Sequence, residues 1–249
     1  MIPNPHNYSI LLERWKSLAA AKEWSIRELG QDEGYPILAI ENDAAKRSSS
    51  NGLYVSAGVH GDECAPVWAL LEWAASAEAD FPLVLLPCLN PHGLVENTRV
   101  TSSRIDLNRS FQNTELPLIR EWQNFLGSRR FDAAINLHED YDANGIYLYE
   151  LARDDSIGDD LLGACEALIP RETSSDVDGH EMRNGLLQRS GDVERIAKED
   201  LGGWPESIWL YLNHETNAYT FETPSEMDLE RRVATQRRFI DRIVELKLS

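Results

Sequence analysis

Short apolar runs, separated by longer amphipathic stretches, fill most of this chain. An apolar run of about four to eight residues predicts a buried strand, because a helix needs more length to bury one face. The run at 53–59 stops at His60, and the run at 131–137 stops at His138. Strands are predicted at 36–41, 53–59, 83–89, 131–137, 146–151 and 218–222.

Apolar residues at helical spacing mark the stretches between these strands. Polar residues predict a loop at 44–52, the letters NPHG predict a turn at 90–93, and only fragmentary order is expected over 172–203. Strands that alternate with helices predict an α/β fold, in which a mostly parallel or mixed sheet is covered on both faces. Ligands of such sheets bind at the carboxyl ends of strands. Helices are predicted at 9–24, 66–77, 115–126, 157–169 and 228–246.

The composition excludes some classes of partner. The chain has 249 residues, of which 42% are hydrophobic, so one domain spanning 1–249 can bury a substantial core. Its net charge of −18 is expected to repel nucleic acid and anionic membranes. We therefore expect a small-molecule or peptide partner, with no nucleic acid and no membrane.

Cysteine usage and the N-terminal sequence point to the cytoplasm. Three cysteines, without a CxxC pair, argue against a disulfide framework and favour a reducing compartment. The first residues, MIPNPHNYSILLERWK, lack the basic and apolar regions of a signal peptide. No apolar run approaches the roughly 20 residues that span a bilayer. The expected localisation is cytoplasmic.

Two histidines at strand ends are candidate metal ligands. His60 and Glu63 lie in the segment GVHGDE directly after a predicted strand, and His138 follows another strand. Catalytic zinc commonly takes three nitrogen and oxygen ligands from the protein and keeps a fourth position for water. Glu222 ends a third apolar strand. The other histidines are interpreted as exposed or hydrogen-bonded loop residues: His6, His92, His180 and His214.

Six short motifs occur in a fixed order and carry a family resemblance. They resemble the zinc carboxypeptidase family, peptidase family M14, and most closely its short bacterial members related to murein peptide amidase. The resemblance is more distant to the succinylglutamate desuccinylases and aspartoacylases, and it covers the chain from about Leu53 to the terminal helix. The motifs are GVHGDE at 58–63, NPHG at 90–93, Arg99, DLNRSF at 106–111, LH at 137–138 and FE at 221–222.

The resemblance implies a fold, a cofactor and a catalytic residue. The implied fold is a single-domain αβα sandwich with a mixed, roughly eight-stranded sheet. The implied cofactor is one zinc ion bound by His60, Glu63 and His138. Glu222 is implied as the general base and acid, and a carboxylate beside zinc-bound water suits that role, because zinc lowers the pKa of the water to roughly 7.

The resemblance also implies a carboxylate clamp, which is a pair of polar side chains that binds a carboxylate of the substrate. By the resemblance, Asn108 and Arg109 bind the terminal carboxylate of the substrate, since a guanidinium matches a carboxylate through two parallel hydrogen bonds. Arg99, preferred over Arg104, would polarise the carbonyl under attack. Asp106 would support this loop.

One aromatic residue is predicted to close over the substrate. Larger relatives use a mobile tyrosine before the catalytic glutamate, and Tyr211 is preferred over Tyr219, which lies in a predicted strand.

The family turn has aspartate where this chain has His92. The acidic segment at 139–142 either orients His138, attracts a cationic group or is a solvated loop.

Three hypotheses for the function stay open. The leading one is a metallocarboxypeptidase or peptide amidase that cleaves an amide bond next to a free carboxylate. The second is an N-acyl amino acid deacylase of the desuccinylase/aspartoacylase type. The third is a zinc- or peptide-binding module without catalysis.

Overall fold

A mixed sheet forms the centre of the computed structural model, which describes residues 2, 4–47, 52–177, 179–189 and 191–248. The sheet has eight strands in the order β1-β2-β4-β3-β5-β10-β6-β9. Its strands are β1 (Ser25–Asp32), β2 (Tyr35–Glu41), β3 (Leu53–Ser56), β4 (Leu83–Leu86), β5 (Ala133–Asp140), β6 (Tyr147–Leu151), β9 (Leu186–Gln188) and β10 (Asn217–Pro224). A separate pair consists of β7 (Asp176–Val177) and β8 (His180–Glu181).

The middle of the sheet is parallel, and its two sides contain antiparallel pairs. Strand β3 pairs in parallel with β4 and β5, and β5 pairs in parallel with β10. Strand β10 then pairs antiparallel with β6, which brings β6 beside the carboxyl end of β10. The predicted α/β class and the roughly eight-stranded mixed sheet are confirmed.

Helices cover both faces of the sheet, so the core has two halves. Large side chains such as Trp15, Trp68 and Phe239 fill one half, and Trp122 and Phe111 fill the other. Burial of this apolar surface on both faces is the main force that holds the layers together. The helices are α1 (Tyr8–Ala21), α2 (Asp43–Arg47), α3 (Cys64–Ser76), α4 (Pro91–Glu96), α5 (Pro117–Leu126), α6 (Gly158–Cys165), α7 (Val193–Arg195), α8 (Glu206–Asn213) and α9 (Leu229–Lys247).

Several predicted element boundaries are wrong. Strand β1 was not predicted, because all but one of its residues are exposed or half-buried and it lacks an apolar run. The predicted turn at 90–93 is instead the start of α4, where the Asn90 side chain accepts a hydrogen bond from the Gly93 amide. The predicted loop at 44–52 begins inside α2, and its positions 48–51 lie outside the described residues.

The ends of two central strands also differ from the prediction. Strand β3 ends at Ser56, and the chain turns at Gly58, whose positive φ of 61° suits glycine. Strand β5 does not stop at His138 but continues to Asp140, because β10 pairs with it along its whole length. His60 therefore lies in a loop and His138 lies within a strand.

The three cysteines, Cys64, Cys88 and Cys165, are each free and buried. Across the described ranges, no helix combines the length and the apolar character needed to cross a bilayer. The cytoplasmic location stays a prediction.

Candidate active site

The three predicted metal ligands come together at the carboxyl ends of the central strands. His60 follows β3, Glu63 precedes the first residue of α3, and His138 lies on the neighbouring strand β5. Gly61 allows this loop to approach α4, because a Cβ atom on it would lie 2.0 Å from the backbone of Gly93. The close approach explains why glycine occurs between the two ligands of the loop.

The ligand atoms of these residues face one another. The Nδ1 atom of His60 lies 2.5 Å from Oε1 of Glu63, and Nδ1 of His138 lies 3.0 Å from Oε2 of Glu63. One ligand atom from each residue lies within 4.8 Å of the others, and all three residues are buried. Two imidazoles and a carboxylate are a donor set that catalytic zinc commonly takes, so the side chains present fit a metal ion.

Electrostatics favour an ionised carboxylate at the centre of this cluster. Burial by itself raises the pKa of Glu63, but the imidazoles of His60 and His138 outweigh burial and hold that pKa below its usual range. Burial lowers the pKa of His60, whereas Glu63 and Asp106 raise it further than burial lowers it. A metal ion would take the place of the proton on His60, since metal ligands bind in their deprotonated form.

Asp106 links the cluster to a candidate catalytic arginine. Its Oδ1 lies 3.4 Å from Nε2 of His60, and its Oδ2 accepts a hydrogen bond of 3.1 Å from Nε of Arg99. A carboxylate at Nε2 turns Nδ1 of His60 toward Glu63, as outer partners of metal-bound histidines do. Asp106 was predicted to support the clamp loop, and its Oδ1 accepts a hydrogen bond of 2.9 Å from the backbone amide of Asn108 in that loop.

Glu222 lies next to the metal-ligand cluster because of strand pairing. In the sheet register, Glu222 on β10 stands opposite His138 on β5 and opposite Tyr147 on β6. Its side chain is buried and lines the same cavity as the three predicted ligands. Burial raises the pKa of Glu222, and the nearby carboxylates Glu63 and Asp140 add to the rise.

The predicted carboxylate clamp faces the cavity from one short turn. Asn108 and Arg109 belong to a 3₁₀ turn, Leu107–Arg109, and both line the cavity. Oδ1 of Asn108 accepts a hydrogen bond of 3.0 Å from the backbone amide of Glu206. The Asn108 side-chain NH₂ is thus the end that can face a ligand.

The structure does not bring Tyr211 to the cavity. Tyr211 lies on α8, where the guanidinium of Arg153 stacks 4.3 Å from its ring centroid. Tyr147 and Tyr149 line the cavity instead, and the Tyr147 hydroxyl donates a hydrogen bond of 2.8 Å to Asp140. The alternating letters YLYEL place both tyrosines on one face of β6, a signal that sequence reasoning missed.

The acidic segment after His138 is only partly solvated. Glu139 is buried and accepts hydrogen bonds from the Ala65 amide and from Arg232, so it joins α3 and α9 to β5. Asp140 lines the cavity. Of the interpretations offered for this segment, the solvated loop is wrong for Glu139.

A second buried carboxylate lies between the clamp and the central sheet. Glu206, the first residue of α8, accepts hydrogen bonds from the hydroxyls of Tyr54 and Ser56 on β3. Its backbone amide is the donor to Asn108. Burial raises the pKa of Glu206 to about 7, although the two hydroxyl donors lower it. Glu206 thus connects the central sheet to the residue that is expected to bind substrate.

Replacing Glu206 by glutamine is expected to change how stability depends on pH. Between pH 4.5 and about 7, the folded state holds a proton that the unfolded state has lost, so wild-type stability falls as pH rises through this window. Glutamine cannot ionise. From pH 5 to pH 8 the free energy of unfolding of the variant should rise relative to wild type by about 2–3 kcal/mol. Denaturant unfolding at the two pH values measures this, and parallel profiles would contradict it.

The cavity around these residues is large and strongly charged. Its volume is about 650 Å³, enough for a peptide end or an acylated amino acid. Four arginines line it together with the acidic residues described above. The cavity-lining arginines are Arg99, Arg109, Arg189 and Arg232.

One known family matches part of the chain. Residues 49–157 match the family model described as the succinylglutamate desuccinylase/aspartoacylase catalytic domain. This stretch contains the three predicted metal ligands and the clamp, whereas Glu222 lies beyond it. No curated protein has a sequence that matches this chain significantly.

Solved structures share the fold over almost the whole chain. A candidate metallopeptidase from Shewanella denitrificans OS217 has a TM-score of 0.84 at 20% identity, over 98% of this chain and 91% of that one. One from Shewanella amazonensis SB2B has a TM-score of 0.83 at 19% identity, over 98% and 94%. The metallo-carboxypeptidase of Pseudomonas aeruginosa, in complex with (2-guanidinoethylmercapto)succinic acid, has a TM-score of 0.67 at 17% identity, over 96% and 68%. These likenesses show a shared fold.

Proposed function

We propose, from the relationship of this chain to the zinc carboxypeptidases and to the succinylglutamate desuccinylases and aspartoacylases, that it is a zinc-dependent hydrolase. It would cleave an amide bond next to a free carboxylate. The observation that carries the proposal is the meeting of His60, Glu63 and His138 in one cavity with Glu222. His60 and Glu63 share one loop, but His138 and Glu222 come from strands that are distant in sequence, so the cluster does not result from local sequence alone.

In this proposal, His60, Glu63 and His138 hold one zinc ion. The bound ion would supply Lewis acidity and a water molecule of lowered pKa. Asp106 holds the His60 ring in the orientation that leaves Nδ1 facing the site. The buried Glu139–Arg232 pair fixes the strand on which His138 lies, because Glu139 also binds the start of α3.

Glu222 is proposed as the general base and then the general acid. Its carboxylate would take a proton from the attacking water and later deliver that proton to the leaving amine nitrogen. The raised pKa of Glu222 suits both halves of this cycle, because the group can hold and release a proton near neutral pH. Arg99 lies beside His60, with 3.3 Å between Nη1 of Arg99 and Nδ1 of His60. From there its guanidinium can stabilise negative charge on the carbonyl oxygen of the substrate.

Asn108 and Arg109 are proposed to bind the carboxylate next to the scissile bond. Nη1 of Arg109 donates a hydrogen bond of 2.9 Å to the backbone carbonyl of Asn108, which holds the Arg109 side chain against the turn. The Pseudomonas aeruginosa neighbour is in complex with a substituted succinic acid, a ligand with carboxyl groups, and this supports the proposal of a carboxylate-binding site.

A second candidate function rests on the family match. The desuccinylases and aspartoacylases, after which that family is named, act on acylated amino acids. The matched residues include the proposed metal ligands and the clamp. An N-acyl amino acid also presents an amide next to a free carboxylate, so the same site can serve it. The two functions differ in what lies on the acyl side of the bond.

Activity measurements separate these functions. The zinc-loaded protein is incubated with peptides that have free C-termini, with N-acetyl and N-succinyl amino acids, and with the C-terminal amides of each. Faster cleavage of peptides supports the carboxypeptidase or peptide amidase, and faster cleavage of acylated amino acids supports the deacylase. Cleavage of the C-terminal amides at the same rate as the corresponding free acids would contradict the requirement for a free carboxylate. Tight binding without any turnover would support the inactive module.

Replacing Arg109 by methionine is expected to weaken binding of the substrate carboxylate. Loss of a charge-assisted hydrogen-bonded pair should raise KM by roughly 10- to 100-fold for substrates with a free carboxylate. Arg104→Met is the matched control, because Arg104 is an exposed arginine of the same loop that does not line the cavity. Steady-state kinetics on both variants measure the effect. A KM that stays unchanged in Arg109→Met would show that the carboxylate binds elsewhere.

A further inference from the structure

Part of the cavity wall comes from the segment before α1, at residues 4–7. His6 in this segment is half-buried and lines the same cavity as the predicted metal ligands. The chain is fixed on both sides of His6. The Trp68 indole donates a hydrogen bond of 2.8 Å to the Pro5 carbonyl, and the side chain of Asn7 caps α1. His6 is therefore held in place as part of the wall.

The position of His6 is set by α4, which packs against the metal-ligand loop. Nδ1 of His6 lies 2.8 Å from the backbone carbonyl oxygen of Leu94. Leu94 also lies close to the loop that carries His60 and Glu63, because a Cβ atom on Gly61 would lie 2.3 Å from the Leu94 backbone nitrogen. One residue thus separates the His6 ring from the loop that holds two of the predicted ligands.

The hydrogen bond to Leu94 determines which nitrogen of His6 can serve a ligand. A carbonyl oxygen only accepts hydrogen bonds, so Nδ1 carries the hydrogen and donates it to Leu94. In the neutral imidazole Nε2 is then the acceptor, and it lies on the side of the ring away from Leu94. An acceptor at this place favours an N–H group of the ligand and disfavours a carbonyl or carboxylate oxygen.

His6 and the carboxylate clamp lie on opposite sides of the metal-ligand cluster. Leu94 and Trp68, which hold the His6 segment, belong to the half of the core that is covered by α1 and α3. Leu107 and Phe111, which flank the clamp, belong to the other half, across the sheet. A substrate that has its carboxylate in the clamp and its scissile amide at the metal-ligand cluster therefore extends its acyl part toward His6.

We propose that His6 is a specificity-determining residue whose Nε2 accepts a hydrogen bond from the acyl part of the substrate. The donor is the N–H on the carbon next to the scissile carbonyl. This inference rests on the proposed function, because the clamp sets the direction in which the substrate lies. It gives the acyl part a chemical class, an acyl group with an amide N–H at that carbon, and it disfavours acyl groups that have only methylene groups or oxygen atoms there.

Two matched substrates test this N–H contact. N-acetylglycyl and acetoxyacetyl groups have the same heavy-atom skeleton and differ by one replacement, in which an ester oxygen takes the place of the N–H. Each is joined through the same amide bond to alanine, phenylalanine, glutamate and lysine, and release of the free amino acid is measured at pH 8, where an ordinary histidine is neutral. In zinc-loaded wild type, kcat/KM should be roughly 5- to 50-fold higher for the N-acetylglycyl substrates, since the ester oxygen leaves Nε2 without a donor.

Variants of His6 assign the preference to Nε2. His6→Asn keeps an N–H group near the position of Nδ1 and has no atom at the position of Nε2, so the two substrates should be cleaved within about twofold of each other. His6→Ala should give the same loss of preference. His6→Gln can place its amide oxygen near the position of Nε2 and should keep part of the preference. His92→Asn is the matched control and should keep the full preference, because His92 is a half-buried histidine of α4 that does not line the cavity.

The outcomes separate this inference from the proposed function. If wild type cleaves both substrates equally, or if the preference survives in His6→Asn or His6→Ala, the hydrolase stands and the role of His6 is overturned. If neither substrate is cleaved, the hydrolase fails, and calorimetric binding of the same compounds decides about His6. Tighter binding of the N-acetylglycyl compound to wild type than to His6→Asn would then support the contact, and equal or absent binding would overturn it.

Discussion

Replacing His138 by glutamine is expected to remove the bound metal and nearly all hydrolytic activity. A metal centre supplies several kcal/mol of transition-state stabilisation, so kcat/KM should fall on the order of 10³-fold or more. Glutamine is also a poor zinc ligand compared with imidazole. Elemental analysis after dialysis should find one zinc per chain in wild type and less than about a tenth of that in the variant. The reason is that the loss of one ligand should weaken zinc binding by more than tenfold, and each tenfold loss of affinity corresponds to about 1.4 kcal/mol.

The position of His138 explains why the loss should be so large. His138 lies near the carboxyl end of β5, which pairs with β10 along its whole length and with β3 as far as Asn136, so no neighbouring loop can move a substitute ligand into its place. Its Nδ1 faces the Glu63 carboxylate, and the Gln236 side chain donates a hydrogen bond of 3.0 Å to its backbone carbonyl. The ligand is therefore held rigidly, and its replacement leaves the site with two donors.

A second buried histidine serves as the control for this experiment. His214 is also buried, and its Nδ1 lies 2.6 Å from the carbonyl oxygen of Arg129, away from the cavity. His214→Gln should cost stability yet keep its zinc and its turnover. Full zinc content and activity in His138→Gln would remove His138 from the metal site, and loss of zinc in both variants would point to a general effect on folding.

The sequence predicted the metal-ligand cluster because its members follow apolar runs. A buried strand is recognisable from its own residues, and the carboxyl ends of neighbouring parallel strands meet at one edge of a sheet. His60 and His138 therefore lie together as expected, but their positions relative to the strand ends differ from the prediction. The prediction placed both after strand ends, whereas His138 lies within β5, since pairing with β10 extends that strand to Asp140.

Other parts of the site depend on pairings that the sequence does not reveal. Tyr147 reaches Glu222 only because β6 pairs antiparallel with β10, across about 70 intervening residues, and such long-range register has no local signal. Tyr211 lies in the predicted region of the chain but on a helix that faces elsewhere. Arg189 follows a three-residue strand in a polar stretch where only fragmentary order was expected. Glu206 was not singled out from the sequence, because its partners Tyr54 and Ser56 lie on the distant strand β3.

Replacing Glu222 by glutamine is expected to lower kcat while the metal stays bound. Glutamine has nearly the same shape as glutamate but cannot take a proton from water, and general acid–base catalysis contributes roughly 10²- to 10⁴-fold. KM for substrates with a free carboxylate should change little, because Asn108 and Arg109 are untouched. Zinc content should remain near one per chain, which distinguishes this variant from His138→Gln. Steady-state kinetics together with metal analysis measure both quantities.

A buried carboxylate on the adjacent strand gives the matched control for Glu222. Glu150 on β6 is also buried, but it accepts hydrogen bonds from Ser156 and from the backbone amides at the start of α6, and it does not line the cavity. Glu150→Gln should weaken the fold and leave kcat within a few-fold of wild type, since it touches no reacting atom. Retained turnover in zinc-loaded Glu222→Gln would refute Glu222 as the proton carrier. The base would then have to be another carboxylate of the cavity. The next residue to replace would be Asp140, because it accepts a hydrogen bond from the hydroxyl of Tyr147, which stands opposite Glu222.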